Sequence, residues 1–278
     1  MNGSGVGERA VPGSATWWLD RQARQARRRP RADGLTVERI IDAAVALVDA
    51  EGLEALTVRR LADDLATGSA SLYRHVASRD ELLVLLVDHV IGEVRFPAEG
   101  LSGRERVELL SGELRRVLLD HAKLVPALTA SPLLGPNAMR GAEDALSNLI
   151  EAGFAPSAAV PAYLALIHYV LGTVFFDTSS AGRGRAGGHS SADLIAALPA
   201  DAFPTLRANQ AEFAVSSVDK VFAFGLTTFL DGLERRFPAV LISPPPAPPV
   251  VADLARPLPQ GPRAHVAIGQ AAHASVDR

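Results

Sequence analysis

Apolar residues first recur at helical spacing in the segment that begins at Thr36. Ile40, Ala44 and Leu47 are three or four positions apart, which places them on one face of an amphipathic helix. Thr36 is a candidate N-cap for this helix, and Gly52 can end it in a left-handed conformation. The pattern therefore predicts a long first helix between Thr36 and Gly52.

Two shorter helices and a further long helix are predicted to follow. Thr57 can cap the second helix, and residues 66–68 form a short break before a helix over residues 69–76, about two turns long. Ser78 and Glu81 have the spacing of a capping box at the start of the fourth helix. The two short helices and their tight turn have helix-turn-helix spacing, in which the second helix can enter a DNA major groove.

The remainder of the chain contains a second helical region and a proline-rich end. Helices are expected at about 157–178 and 217–237, and both are apolar around much of their circumference, so they must be buried. A glycine-rich loop over residues 182–191 interrupts this region. Residues 241–278 contain proline runs and few large apolar groups, which predicts a disordered tail.

The predicted fold class is all-α, with an N-terminal three-helix helix-turn-helix domain and a C-terminal helical domain. The expected boundaries are a basic flexible arm at 1–34, the helix-turn-helix domain at 35–80, the C-terminal helical domain at 81–240 and the tail at 241–278.

Charge is distributed unevenly along the chain, whose formal net charge is -3. Residues 35–96 carry more acids than arginines, which is unfavourable for a polyanionic partner, whereas residues 1–34 carry seven arginines. We expect this arm to follow DNA phosphates or to enter the minor groove. A solvated tail without a role is the alternative. The arginines concerned are Arg21, Arg24, Arg27, Arg28, Arg29 and Arg31.

Several classes of protein are not indicated by the sequence. There is no cysteine, and we find no nucleophile elbow, no glycine-rich phosphate loop and no HExxH motif, so we expect no enzyme, no metal site and no cofactor. No stretch is expected to reach the roughly 20 uncharged apolar residues of a membrane span. The prediction is a cytoplasmic protein without a membrane partner.

Three consecutive segments resemble the DNA-binding domain of the TetR family of transcriptional regulators. They are residues 56–62 (LTVRRLA), 71–76 (SLYRHV) and 78–83 (SRDELL). The C-terminal half is similar, more weakly, to the tetracycline-repressor branch of this family. The segments that carry the second likeness are 118–123, 152–154, 169–174, 222–226 and 232–234.

The resemblance implies a DNA-reading surface on the helix-turn-helix. It implies that Arg59 reaches a base, that Tyr73 and His75 lie against the DNA backbone, and that Arg79 contacts phosphate. A solvated Arg59, a core Tyr73 and a helix-end His75 are the respective alternatives. The candidate DNA-binding residues are Thr57, Arg59, Ser69, Ala70, Ser71, Tyr73, His75 and Arg79.

Polar and aromatic residues in the apolar C-terminal region are candidate ligand contacts, although each could equally be a satisfied core or surface group. They are His121, Asn148, His168, Thr173, Phe176 and Asp177. In the tetracycline-repressor branch, histidine and glutamate coordinate a magnesium-bound drug. Alignment places Arg95, Val125 and Phe176 at those positions, which favours a more apolar or aromatic effector.

The resemblance also implies that the C-terminal helical domain, residues 81–240, serves regulation through ligand binding and dimerisation, and it implies the mode of action. A homodimer, held by a four-helix bundle from the helices near 157–178 and 217–237, would bind a palindrome in double-stranded operator DNA. A small molecule would shift the connector helix near 79–95 and so release the DNA, and repression is the family's usual mode. The alternative is a DNA-binding dimer with no small-molecule effector, and a solid core in the C-terminal domain would favour it.

Overall fold

The computed structural model describes residues 10–27, 35–96, 100–129, 132–184 and 191–236. Throughout these ranges the regular structure is helical, as predicted. The helices are α1 Ala15–Arg27, α2 Val37–Glu51, α3 Val58–Asp64, α4 Ser69–Tyr73, α5 Arg79–Ile91, α6 Gly103–Asp120, α7 Pro136–Glu151, α8 Pro156–Gly184, α9 Ser191–Ala197, α10 Pro204–Ala208, α11 Gln210–Val215 and α12 Val218–Arg236, with 3-10 helices at Leu53–Ala55 and Ala122–Thr129. The predicted tail and most of the predicted loop at 182–191 lie outside the described residues.

The predicted capping residues begin and end the helices of the N-terminal domain. The hydroxyl oxygens of Thr36, Thr57 and Ser78 each accept a hydrogen bond from the backbone N–H three residues ahead, at 3.1–3.2 Å. Gly52 ends α2 with a φ of 92°, in the region that glycine tolerates best. Short-range hydrogen bonds therefore fix these boundaries where the sequence placed them.

The prediction of a flexible arm is wrong for residues 15–27, which form helix α1. Trp17 and Trp18 are only 6% exposed and belong to the same apolar cluster as the core of the DNA-binding domain. Arg21, one turn beyond Trp17, forms a buried ion pair with Glu81 at 2.7 Å. Burial of two indoles holds this helix in place although the surrounding sequence is rich in arginine and glycine.

Three long helices of the C-terminal region are linked through Arg115 on α6. Its guanidinium forms ion pairs with Asp177 of α8 at 2.9 Å and Asp219 of α12 at 2.8 Å. It also lies over the ring of Phe222, 4.8 Å from the centroid. One cation therefore helps to fix the relative positions of α6, α8 and α12.

One helix is long and apolar enough to span a membrane, so the expectation that no segment could do so is wrong. Within residues 156–179 of α8, a window of 18 residues has a mean hydropathy of 1.7, yet only 22% of this window is buried inside the chain. The core helix of a soluble protein can pass the same test, so this is weak evidence for a span. The low burial does show that α8 carries apolar surface which one chain leaves uncovered.

We expect Gly225→Ala to destabilise the packing of α8 on α12. The Tyr169 hydroxyl donates to the carbonyl of Phe222 at 2.7 Å, and a methyl group at Gly225 would stand 2.8 Å from Tyr169 Cζ. Overpacking of this kind should lower the free energy of unfolding by about 1–3 kcal/mol, measured by urea denaturation. Gly232→Ala on the same helix meets open space and should be neutral or stabilise by up to about 1 kcal/mol. Equal effects of the two substitutions would contradict this reading.

Candidate nucleic-acid interface and internal cavity

The predicted recognition helix is present but shorter than predicted. Helix α4 ends at Tyr73, and the chain continues as a turn in which the N–H groups of His75 and Val76 both donate to the Leu72 carbonyl. Leu72 and Val76 are buried and fix the segment to the domain core. Ala70 and Tyr73 lie on the opposite, exposed side. The segment therefore presents a short exposed face, as a reading helix requires.

Most candidate DNA contacts lie on or beside this face. Tyr73 is 54% exposed, which argues against the alternative of a core tyrosine. Arg59 is exposed, and within the described part of the chain its guanidinium forms no hydrogen bond or ion pair. Of the others, Thr57 and Ala70 are exposed, while Ser69, Ser71 and His75 are partly buried.

Arg79 has a structural role that the sequence did not reveal. Its Nε donates to the Leu56 carbonyl at 3.0 Å, and its Nη2 donates to the Leu53 carbonyl at 2.7 Å. These bonds hold the segment between α2 and α3 against the start of α5. Two of the five guanidinium N–H groups are thereby used, so a phosphate contact would have to come from the remaining three.

A cavity of about 460 Å3 lies between α6, α7, α8 and the end of α5. Its lining is mostly aliphatic, and Asn148 and His168, both candidate ligand contacts, belong to it. Tyr163 also lies there, and burial raises the pKa of its phenol. Ser111 and Asn137 add further polar groups. A few polar groups in an apolar cavity of this size are typical of a small-molecule site.

The other four candidate ligand contacts do not line this cavity. His121 lies at the junction with the DNA-binding domain. Asp177 is engaged by Arg115, and the Thr173 hydroxyl donates to a carbonyl of its own helix at 2.8 Å. Phe176 is 71% exposed on the surface of α8. The sequence placed all four in an apolar region, but the direction of each side chain depends on packing partners far away in the chain.

The three positions aligned with the metal-binding residues of the tetracycline-repressor branch also lie outside the cavity lining. Arg95 is exposed after the end of α5, and Val125 is buried in the core. The lining contains His168 but no carboxylate, so it lacks the combination of histidine and glutamate ligands of that branch. The lining therefore suits an apolar molecule with a few hydrogen-bonding groups.

His121 connects three elements where the two domains meet. Its Nδ1 lies 2.7 Å from the Asp49 carboxylate on α2, and its Nε2 lies 3.2 Å from Glu93, just beyond α5. Nearby, Lys123 Nζ donates to the Ala50 carbonyl at 2.7 Å. Burial alone would lower the pKa of His121, but the hydrogen bonds and charges of the two carboxylates outweigh it and raise the pKa.

Helix α5 is in contact with α7 through a buried carboxylate. Asp88 accepts hydrogen bonds from the backbone N–H groups of Asn137 and Ala138, both at 3.1 Å. Burial raises the pKa of Asp88, and these two hydrogen bonds partly oppose the shift. Asn137 and Ala138 also line the cavity, so the cavity wall and α5 are bonded directly.

His121→Asn should flatten the pH dependence of stability. Because the folded pKa is raised, the stabilisation from His121 is complete below about pH 6.5, the ordinary histidine pKa, and is lost as pH rises through the folded value. The wild-type thermal midpoint should therefore fall between neutral and mildly alkaline pH by more than that of the variant. His168→Asn is the control, since this imidazole has no carboxylate partner in the described ranges. Identical pH profiles for wild type and His121→Asn would overturn the assignment.

Comparison with known families covers both helical regions. Residues 40–86 match the family described as bacterial regulatory proteins, tetR family, and residues 96–237 match tetracyclin repressor-like C-terminal domains.

Individual relatives agree with these matches. An HTH-type transcriptional regulator of Saccharopolyspora erythraea is 39% identical over 72% of this chain and 82% of its own length. The HTH-type transcriptional repressor DrrR1 of Streptomyces coeruleorubidus is 33% identical over 72% of this chain and 77% of its own length. The crystal structure of the TetR family protein ActR of Streptomyces coelicolor, in complex with actinorhodin, has a TM-score of 0.65 and 37% identity over 72% of this chain and 95% of ActR. The chain belongs to the TetR family of transcriptional regulators.

Proposed function

We propose that this regulator is a repressor that binds a palindromic operator as a homodimer and leaves it when a small molecule occupies the cavity. The observation that carries the proposal is the course of α5. This helix begins at Arg79, six residues after the recognition helix ends, and its last residue, Ile91, lines the cavity. A ligand that displaces the cavity wall therefore acts on the same rigid element that positions the recognition helix.

The proposed dimer is supported by uncovered apolar surface on α8 and α12. Phe176, Val221 and Phe224 are among the most exposed large apolar side chains of the described residues. Val221 and Phe224 are three positions apart and share one face of α12, whereas Phe229 and Leu233 pack inside the chain. Two such helices from each copy would form a four-helix interface and set two recognition helices about 34 Å apart.

The proposed DNA contacts are those predicted from the sequence, with Arg59 and Tyr73 as the principal pair. Both side chains project freely from the helix-turn-helix. Arg59 would contact a base edge, and Tyr73 would contact the DNA backbone. The exposed arginine Arg24 on α1 is a further candidate for phosphate. The remaining arginines of the predicted arm, from Arg27 to Arg31, have side chains outside the described residues, and we propose that they follow the phosphates. A cytoplasmic location and the absence of enzyme activity are part of the proposal.

The proposed effector is an apolar or aromatic molecule without a chelated metal. The aliphatic lining supports this chemistry. ActR, which is 37% identical to this chain, binds actinorhodin in its crystal structure. The cavity volume of about 460 Å3 favours a sensor over the alternative of a dimer without effector, for which a solid core was expected.

Selection of bound sequences from a random DNA library tests the first half of this proposal. We expect an inverted repeat, bound more weakly as salt rises. Actinorhodin, used as the first probe, and other polycyclic aromatic compounds are then titrated into the complex while fluorescence anisotropy reports the bound DNA. Release of the DNA supports the sensor. Retention of the DNA with every compound favours the alternative, and the lack of any selected repeat would refute operator binding.

A further inference from the structure

Helix α1 is connected to the helix-turn-helix through one buried carboxylate. Arg21 Nη1 donates to Glu81 Oε1 at 2.7 Å, and both side chains are only 9% exposed. The other carboxylate oxygen of Glu81 accepts the backbone N–H of Ala77 at 2.9 Å. Ala77 lies in the turn that joins the recognition helix to α5. A short chain of hydrogen bonds therefore runs from α1 through Glu81 to this turn.

The position of Arg21 is itself fixed by packing. Its guanidinium lies 5.5 Å from the centroid of the Trp17 ring, and Trp17 is buried together with Trp18. Arg21 is thus held inside the protein and differs from Arg24, which is exposed on the same helix. An arginine whose side chain is this deeply buried is poorly placed to reach DNA phosphates.

The carboxylate of Glu81 depends on this arginine. A buried carboxylate without a cation is strongly unfavourable, so it would rotate towards water or take up a proton. Either change weakens or removes the acceptor for the Ala77 N–H. The turn after the recognition helix would then be free to change its conformation, although the apolar core of the domain would remain.

We infer that Arg21 is a positioning residue for operator binding, which acts through Glu81 on the turn between the recognition helix and α5. This inference rests on the proposed operator binding and adds to it a role for α1, a helix outside the matched family segments. Arg21 contributes to affinity by fixing the angle of the recognition helix and makes no contact with DNA.

The test measures operator affinity against salt for Arg21→Met and Arg24→Met in the full-length chain. Loss of a phosphate contact lowers the slope of log affinity against log salt by about 0.9. We expect Arg21→Met to lower affinity by at least about tenfold with the wild-type slope, because a buried charge has lost its partner. Unchanged affinity, or a slope reduced as for a lost phosphate contact, would overturn the inference. Arg24→Met, at the proposed phosphate contact on the same helix, is the comparison for a lost contact, and its slope should fall by about 0.9.

A rescue variant separates positioning from general destabilisation. In Arg21→Met with Glu81→Gln, the amide oxygen can still accept the Ala77 N–H and needs no cation, so operator affinity should return to near the wild-type value. If the double variant has a native circular dichroism spectrum but its operator affinity stays low, the inference is contradicted. The double variant also provides a test if Arg21→Met alone does not fold. Absence of operator binding by the wild-type protein would instead contradict the proposed function.

Discussion

Phe224→Asp is expected to dissociate the dimer and to reduce operator affinity by at least about a hundredfold, since two linked half-site contacts become independent. Phe224 is 76% exposed in a single chain, and Val221 beside it is 57% exposed. In the proposed interface, both side chains would be buried against the partner copy. A carboxylate placed there would have to lose its water without gaining a cation, which is strongly unfavourable. Sedimentation velocity measures the mass, and fluorescence anisotropy measures the affinity.

Ile150→Asp is the matched control for this substitution. Ile150 is also a large exposed apolar residue, but it lies near the end of α7 and is not part of the face formed by Val221 and Phe224. This variant should sediment as a dimer and bind the operator with wild-type affinity. If both variants behave alike, or if Phe224→Asp remains a dimer, the face formed by Val221 and Phe224 is not the interface.

Local features of the fold were readable from the sequence because they depend on neighbours in the chain. Thr36, Thr57 and Ser78 cap helices through hydrogen bonds that span only three residues. Gly52 is needed where α2 ends in a positive φ. Apolar spacing likewise located both ends of α12 and the start of α8 to within one residue, although α8 continues to Gly184, six residues beyond its predicted end.

Features that depend on distant partners were not readable. Asp177 was a candidate ligand contact because it lies in an apolar helix, yet Arg115, 62 positions earlier, engages it. His121 was a candidate ligand contact for the same reason, but its partners are Asp49 of α2, across the domain junction, and Glu93, just beyond α5. A side chain's position in sequence indicates its helix, whereas its partner depends on how the helices cross.

The N-terminal segment shows how composition can conceal a packed element. Seven arginines in residues 1–34 suggested a flexible arm that follows DNA phosphates, but residues 17–21 include side chains that are buried. Two adjacent tryptophans are a large apolar area for so short a stretch. The uncovered face of α12 could not be read from composition either. The sequence does not distinguish Val221, which is exposed, from Phe222, which is buried.

Ala145→Trp should abolish the response to effector while leaving operator binding intact. Ala145 lies on α7 and lines the cavity, so an indole at this position would fill part of the space that the ligand needs. A compound that releases wild-type protein should bind the variant at least about a hundredfold more weakly, because overlap of a rigid ring with the ligand cannot be relieved in a packed domain. Isothermal titration calorimetry measures this loss, and anisotropy with operator DNA confirms that the recognition helices are undisturbed.

Glu143→Trp separates the loss of cavity volume from the general effect of a new indole on α7. Glu143 is exposed on the same helix and does not line the cavity, so this variant should respond to effector as the wild type does. If Ala145→Trp is still released from DNA by the same compound, the effector binds elsewhere, and the contact of Ile91 with the cavity does not transmit the signal. If Ala145→Trp is released from DNA without any compound, filling the cavity itself mimics the ligand. The wall formed by Asn137 and Ala138 would then be the element that moves α5.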